Sequence, residues 1–195
     1  MALVTIPLFP LRAVLFPGGV LKLRIFETRY VDMIGRCMRE DTGFGVVLIL
    51  EGPEAGDPVT TVEVGTLARV VDFEKLSDGL LGITTRGQQR FRMANARRQP
   101  DGLNVGEVEW LADDAVTQVP PEHQDLSDAL RELWPRLTEG RDTEPPRYDE
   151  ALWVASRLAE ILPLDILDRQ HCLEMDDPVA RLQLLRELIP GIGTE

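Results

Sequence analysis

Apolar and polar positions change period several times along the chain. Residues 3–9 are apolar and β-branched around Thr5 and Ile6, which fits a strand, and 10–19 form a connection punctuated by Pro and Gly. Val20 to Phe26 alternates partly, as a half-buried strand does. From Thr28 the period lengthens. Tyr30, Met33, Ile34, Cys37 and Met38 recur at i, i+3, i+4, i+7 and i+8, one face of an amphipathic helix, while Asp32, Arg36 and Arg39 fall elsewhere; Gly43 and Gly45 follow its end. Phe44–Leu50 is a continuous apolar run that predicts a buried strand, and Gly52–Pro58 a turn-rich loop. Val62–Phe73, Gly79–Thr85, Gln89–Ala96 and Leu103–Leu111 complete a series of short strands separated by turns. Such spacing predicts a barrel or sandwich with one inserted helix.

After Ala112–Glu122, which holds Asp113, Asp114, Pro120 and Pro121, the period is helical to the end. Asp125–Leu137 carries Leu126, Leu130, Leu133 and Leu137 at helical spacing, with Pro135 in its last turn. A polar, Pro-containing loop spans Thr138–Arg147. A second helix runs from Tyr148 or Asp149 to Leu162, where Pro163 stops it. A third runs from Asp165 to about Glu174, with Asp165 placed to accept backbone N–H groups and Asp168 to favour the helix dipole. Asp177 and Pro178 suit the N-cap and first position of a fourth. Leu182, Leu185, Leu188 and Ile189 line part of its stripe, and Gly191 and Gly193 stop it. The expected organisation is a β-rich domain over 1–112, a linker over 113–121 and an α-helical subdomain over 122–195.

Composition narrows the function classes. With 44% hydrophobic and 28% charged residues among 195, the chain is an ordinary globular protein, one domain or two small ones. Folding at this length hides roughly 70% of the unfolded surface. The net charge of −12 is uneven: residues 1–110 hold 13 basic against 14 acidic side chains, residues 111–195 hold 8 against 19. That balance disfavours sequence-independent nucleic-acid binding and anionic membranes. Cys37 and Cys172 form no C-x-x-C pair and are expected as buried free thiols in a reducing cytosol. The N-terminus lacks a basic region, Pro7, Pro10 and Pro17 break any helix there, and no apolar run approaches the ~18 residues of a membrane span. The expected compartment is the cytoplasm.

Catalytic motifs are missing. There is no G-x-x-x-x-G-K-S/T phosphate cradle; the lysines are Lys22 and Lys75. There is no G-x-S-x-G, and the serines are Ser77, Ser127 and Ser156. Lys75 and Ser77 would share a strand face, but Asp78-Gly79 marks an exposed turn there. His123 stands apart from His171, and neighbouring His171 and Cys172 diverge on a helix, so no zinc set forms. Asp176 and Asp177 read as solvated caps, since no calcium-loop pattern surrounds them. No catalytic residue, metal or cofactor is therefore expected. Arg86, Arg90, Arg92, Arg97 and Arg98 form a local basic run, and Trp110, Trp134 and Trp153 are expected in the core or at a domain junction.

The opening segment is the most specific: Pro7-Leu8-Phe9-Pro10-Leu11, then Leu15-Phe16-Pro17-Gly18, then Leu23-Arg24-Ile25-Phe26-Glu27-Thr28-Arg29-Tyr30. In order and spacing these resemble the P-L-x-P-L strand, F-P-G turn and F-E-x-R-Y strand-to-helix junction of the Lon protease N-terminal domain family. Val64–Val70, Gly82–Phe91, Ile161–Leu164, Gln170–Pro178 and Arg181-Leu182 continue the likeness over nearly the whole chain. The resemblance implies an α+β fold: an N-terminal PUA-like β pseudobarrel with one inserted helix, followed by a C-terminal helical bundle. It also implies a substrate-recognition module that binds exposed apolar segments of unfolded or client polypeptides, serving a separate protease or chaperone. The AAA+ and Ser–Lys protease parts of Lon have no counterpart in this sequence, so the expectation is a free-standing, non-catalytic member. The alternative is a PUA-like domain that binds nucleic acid or a small ligand. The candidate binding residues lie in and near the junction: Phe16, Arg24, Glu27, Arg29 and Tyr30. Glu27 suits the start of a helix and can also pair with an arginine. Phe16-Pro17-Gly18 is either a structural turn or a grip on a bound chain.

Overall fold

The computed structural model describes residues 3–52, 60–112, 116–138 and 145–188. The chain divides into two compact units, Met1–Asp113 and Asp114–Glu195.

The first unit contains β1 (Val4–Leu11), β2 (Val20–Ile25), α1 (Thr28–Glu40), β3 (Phe44–Glu51), β4 (Thr60–Thr61), β5 (Val64–Lys75), β6 (Leu81–Arg98) and β7 (Asn104–Trp110). The sheet runs β1-β7-β6-β5-β3-β4, and β1 also pairs in parallel with β3, so the order returns to its starting strand. The 18-residue β6 organises this unit. It pairs with β5 over Leu81–Arg92, with β7 over Phe91–Arg98 and with β2 over Leu81–Arg86. Two strands were expected here, at 79–85 and 89–96; they are one. Gly87 between them makes no turn. Its N–H donates to the Gly19 carbonyl at 2.9 Å and its own carbonyl accepts from Gly18 at 2.9 Å. A Cβ at Gly87 would lie 2.2 Å from the Phe16 carbonyl oxygen, so glycine is needed for close approach of the two backbones.

The core follows from the two periodicities. Tyr30, Met33, Ile34 and Cys37 of α1 are buried with Phe9, Leu11, Ile25, Phe44, Val46 and Ile83 from the strands. Met38, expected on the same helical face, is exposed. The ring of Tyr30 stacks on Phe9 at 4.0 Å, and Phe9 meets Phe44 at 5.8 Å. The continuous apolar run of β3 is buried on both faces: Val46 enters this cluster, while Val47 joins Ile6, Leu8, Phe91 and Val108 in a second. The chain leaves α1 through Asp41 at φ 49°, so a short polar side chain takes the left-handed position rather than Gly43.

The second unit holds α2 (Gln124–Thr138), α3 (Ala151–Ile161), α4 (Ile166–Glu174) and α5 (Pro178–Leu188), preceded by a 3-10 turn at Pro121–His123. α3 is buried over Trp153–Ala159 and packs against the other three helices. Part of the expected linker belongs to this unit: Val119 N–H donates to Asp149 at 2.9 Å, and Ala151 N–H donates to Thr117 at 2.8 Å. Asp177 caps α5 as expected, accepting from Val179 and Ala180 at 2.9 and 3.3 Å. Asp165 precedes α4 but makes no side-chain cap bond. Two arginines tie the interior together. Arg157 pairs with Glu160 at 3.0 Å; Arg181 reaches Ser156 Oγ at 3.4 Å and the Met175 carbonyl at 2.5 Å. The loop expected from Gly52 lies outside the described residues from 53 on, as do 113–115 of the linker, 139–144 of the polar loop, and Ile189, Gly191 and Gly193.

Candidate polypeptide-docking edge

β2 pairs antiparallel with β6 from Val20 opposite Arg86 to Ile25 opposite Leu81, and among the described residues β6 is its only partner strand. Among the described residues its other edge thus has no partner strand, and such an edge presents backbone N–H and C=O groups that a further strand can use. With a period of two, Leu21, Leu23 and Ile25 face inward: Ile25 is in the core and the other two pack against it. Val20, Lys22 and Arg24 are exposed on the other face. Beside this edge is a cleft of about 200 Å³. Its apolar lining comes from Phe9, Leu11, Leu23, Ile25 and Tyr30, and Lys22, Arg24, Phe26 and Glu27 complete it. Phe26 follows β2 directly and is 63% exposed, a large aromatic surface in water.

The sequence-predicted residues do not form one cluster. Arg24, Glu27 and Tyr30 line this cleft. Arg24 pairs with Asp78 in the β5–β6 turn. Glu27 occupies the N-cap position of α1, makes no side-chain cap bond, and pairs with Arg29 at 2.8 Å. Arg29 lines a second, open cleft with Phe26, Arg98 and Gly102. It donates to the Gly102 carbonyl at 2.6 Å, and its guanidinium lies 4.7 Å from the centre of the Tyr30 ring. It thus braces α1 against the β6–β7 turn. Tyr30 is 3% exposed. Phe16 is fully buried, its carbonyl against Gly87, and has no surface to offer a bound chain. Phe26 and Lys22 were missed as candidates, although strict alternation carries Lys22, Arg24 and Phe26 on one parity and could have grouped them.

The basic run of β6 is largely occupied. Arg86 donates to the Gly18 carbonyl at 3.0 Å, Arg90 is buried, Arg92 is 3.9 Å from Glu63, and Arg98 donates to Gly102 at 3.3 Å. Trp110 meets Phe91 edge to face at 6.3 Å; in the other unit Trp153 contacts Trp134 at 5.7 Å and Tyr148 at 5.2 Å. Lys75 and Ser77 are exposed at the β5–β6 turn. Among the described residues no three His, Cys, Asp or Glu side chains gather as a metal set, and no helix is long and apolar enough to cross a membrane. Cys37 and Cys172 are buried and unpaired with each other, and burial pushes both thiols up.

Over residues 5–190 the chain matches the family model of the ATP-dependent protease La (LON) substrate-binding domain. It is similar to the Lon protease of Xanthomonas oryzae, 28% identical over 95% of this chain but only 23% of that protease. Under a quarter of the curated relative's length is therefore spanned. Among solved structures, a Lon N-terminal domain protein from Xanthomonas campestris is 38% identical, covers 96% of this chain and 99% of its own, and superposes with a TM-score of 0.82. The N-terminal domain of a Mycobacterium avium complex Lon protease shares the fold at 15% identity, with a TM-score of 0.65 and coverage of 94% and 97%. The chain belongs to the Lon substrate-binding domain family.

Proposed function

We propose that this chain recognises exposed apolar segments of unfolded or client polypeptides and supplies recognition, not catalysis, to Lon-type proteolysis or to a separate protease or chaperone in the cytoplasm. The first unit is read as a PUA-like pseudobarrel and the second as a helical bundle. The observation that carries the proposal is the open edge of β2, bordered by the exposed ring of Phe26 and a cleft lined by Phe9, Leu11, Leu23 and Tyr30. A segment adding to that edge gains backbone hydrogen bonds whatever its sequence, and the cleft favours apolar side chains. The absence of a phosphate-cradle motif and a nucleophile elbow from the sequence is consistent with a non-catalytic role.

The test is fluorescence anisotropy of a labelled, permanently unfolded polypeptide titrated with the protein at moderate salt without ATP. Saturable binding is expected, and it should weaken when the apolar residues of the probe are replaced or when Phe26 is changed to Ser. No binding at high micromolar protein would overturn the proposal.

A further inference from the structure

The outward face of the same edge carries a charge pattern that limits which segments it accepts. Lys22 and Arg24 alternate with Leu21, Leu23 and Ile25 along β2. Lys22 is exposed and has no ion-pair partner among the described residues; Arg24 pairs with Asp78 from the neighbouring turn. The register across the sheet sets Lys22 beside Thr84 and then Asp72, and Arg24 beside Gly82 and then Glu74. The carboxylates of this face therefore lie two strands in from the edge, and the cations lie on the edge itself.

We infer that the β2 edge selects extended polypeptide segments in which apolar residues alternate with acidic ones, the apolar set covering the cleft and the acidic set lying against Lys22 and Arg24. This deepens the proposed function and rests on it. Strands in a sheet are about 4.8 Å apart, so an added strand sits one spacing from Lys22 and Arg24. It sits about 14 Å from Asp72 and Glu74, beyond the screening length of roughly 8 Å at physiological salt. Among nearer carboxylates, Glu27 is engaged by Arg29, and Asp78 is engaged by Arg24 and offsets part of its charge, so among the described residues Lys22 is the edge cation that carries its charge uncompensated. The alternation is what couples charge to apolarity: a one-residue slip of the bound strand would turn its acidic side chains toward the apolar cleft. The same cations disfavour a second copy as the occupant. In antiparallel pairing of β2 with itself, the two registers that keep the apolar faces together with the fullest overlap set Lys22 opposite Lys22 or Lys22 opposite Arg24. The protein as a whole is acidic at −12, so this preference is a local property of the edge.

The test uses short labelled peptides in which valine alternates with glutamate, glutamine or lysine, titrated by anisotropy alongside the unfolded polypeptide. The glutamate peptide is expected to bind roughly tenfold more tightly than the lysine peptide, with glutamine between, and the gap should shrink at ~1 M salt. In Lys22→Glu/Arg24→Glu the order should reverse; Lys22→Glu alone, which leaves the Arg24–Asp78 pair intact, should narrow it. Circular dichroism confirms that both variants are folded. Methylating alternate backbone nitrogens of the glutamate peptide, in the set that faces the edge, should abolish binding. Equal affinity for the three peptides, or an order unchanged in the folded double variant, would overturn the inference while binding of the unfolded polypeptide left the proposed function standing. Failure of the unfolded polypeptide itself to bind would overturn both.

Discussion

At the scale of single residues, one glycine controls how the middle of the longest strand meets its neighbour. Gly87 exchanges backbone hydrogen bonds with Gly18 and Gly19, and any side chain there would meet the Phe16 carbonyl, which is backbone and cannot swing away. Gly87→Ala should therefore cost about 1–3 kcal/mol, as overpacking of a rigid site does. The expected result is a lower urea midpoint with an unchanged slope; an unchanged midpoint would mean that the two backbones separate easily. The charged residues of the junction divide by burial in the same way. Arg29 is nine-tenths buried, with a carbonyl, a carboxylate and a ring around it, whereas the Arg24 pair is open to solvent, where such pairs contribute about 0–1 kcal/mol. Residue types singled out the junction in the sequence, but they did not tell a buried brace such as Arg29 from an exposed pair such as Arg24–Asp78. Phe16 and Tyr30 fill the core, and Phe26 is exposed because the strand alternation continues one residue past β2.

Elements are where periodicity reads best and where it stops. The α1 stripe was legible because four of its five positions meet strands, and Met38 lies past their cover. Leu126, Leu130, Leu133 and Leu137 form one stripe on α2 in sequence, yet the first two are buried and the last two exposed, since a stripe does not reveal how far its neighbours extend. The break expected between 85 and 89 is absent for a related reason: Gly87 lies there at a crossing of backbones, and glycine at a crossing and glycine at a turn look alike in sequence. What joins α2 to α5 was not legible at all, because its partners are 61 residues apart. Arg186 donates to Asp125 at 2.5 Å and to the Glu122 carbonyl at 2.9 Å. The hydrogen bond from Arg186 holds the Asp125 carboxyl below the usual carboxylate range, against the opposing effect of burial. A carboxyl lowered in the folded state contributes stability that is fully present above its unfolded pKa of about 3.9 and is lost as pH falls through the folded value. Asp125→Asn should therefore be less stable than the parent near about pH 6, by at most about 1 kcal/mol because both groups are partly exposed, and the gap should close below about pH 3.9. Urea midpoints of the two proteins across that range measure it. A gap that persists in acid would assign the effect to packing.

For the whole molecule, the change from short alternating segments to helical stripes marked the β-rich and helical parts in the sequence, and the structure divides at Asp113 into units with that content. The last residues before the helices were harder to place. Thr117 and Val119 look like linker because Pro120 and Pro121 follow, but their backbone groups bond to Ala151 and Asp149 within the second unit. Each unit also buries one cysteine, Cys37 in the first and Cys172 in the second. Burial raises both thiols, opposed at Cys37 by a hydrogen bond with Thr42 and at Cys172 by nearby Arg181, so little thiolate forms in the native state. Both should resist a thiol-specific reagent in the folded protein and react fully in denaturant. The single-cysteine variants Cys172→Ser and Cys37→Ser then turn this protection into a report on each unit. Labelling of Cys37 should follow the loss of sheet signal, and labelling of Cys172 the loss of helical signal, as urea increases. Rapid labelling of either cysteine without denaturant would show that its unit opens locally in the native protein. In the first unit, such opening would uncover α1 beside the β2 edge and bring the docking surface itself into that motion.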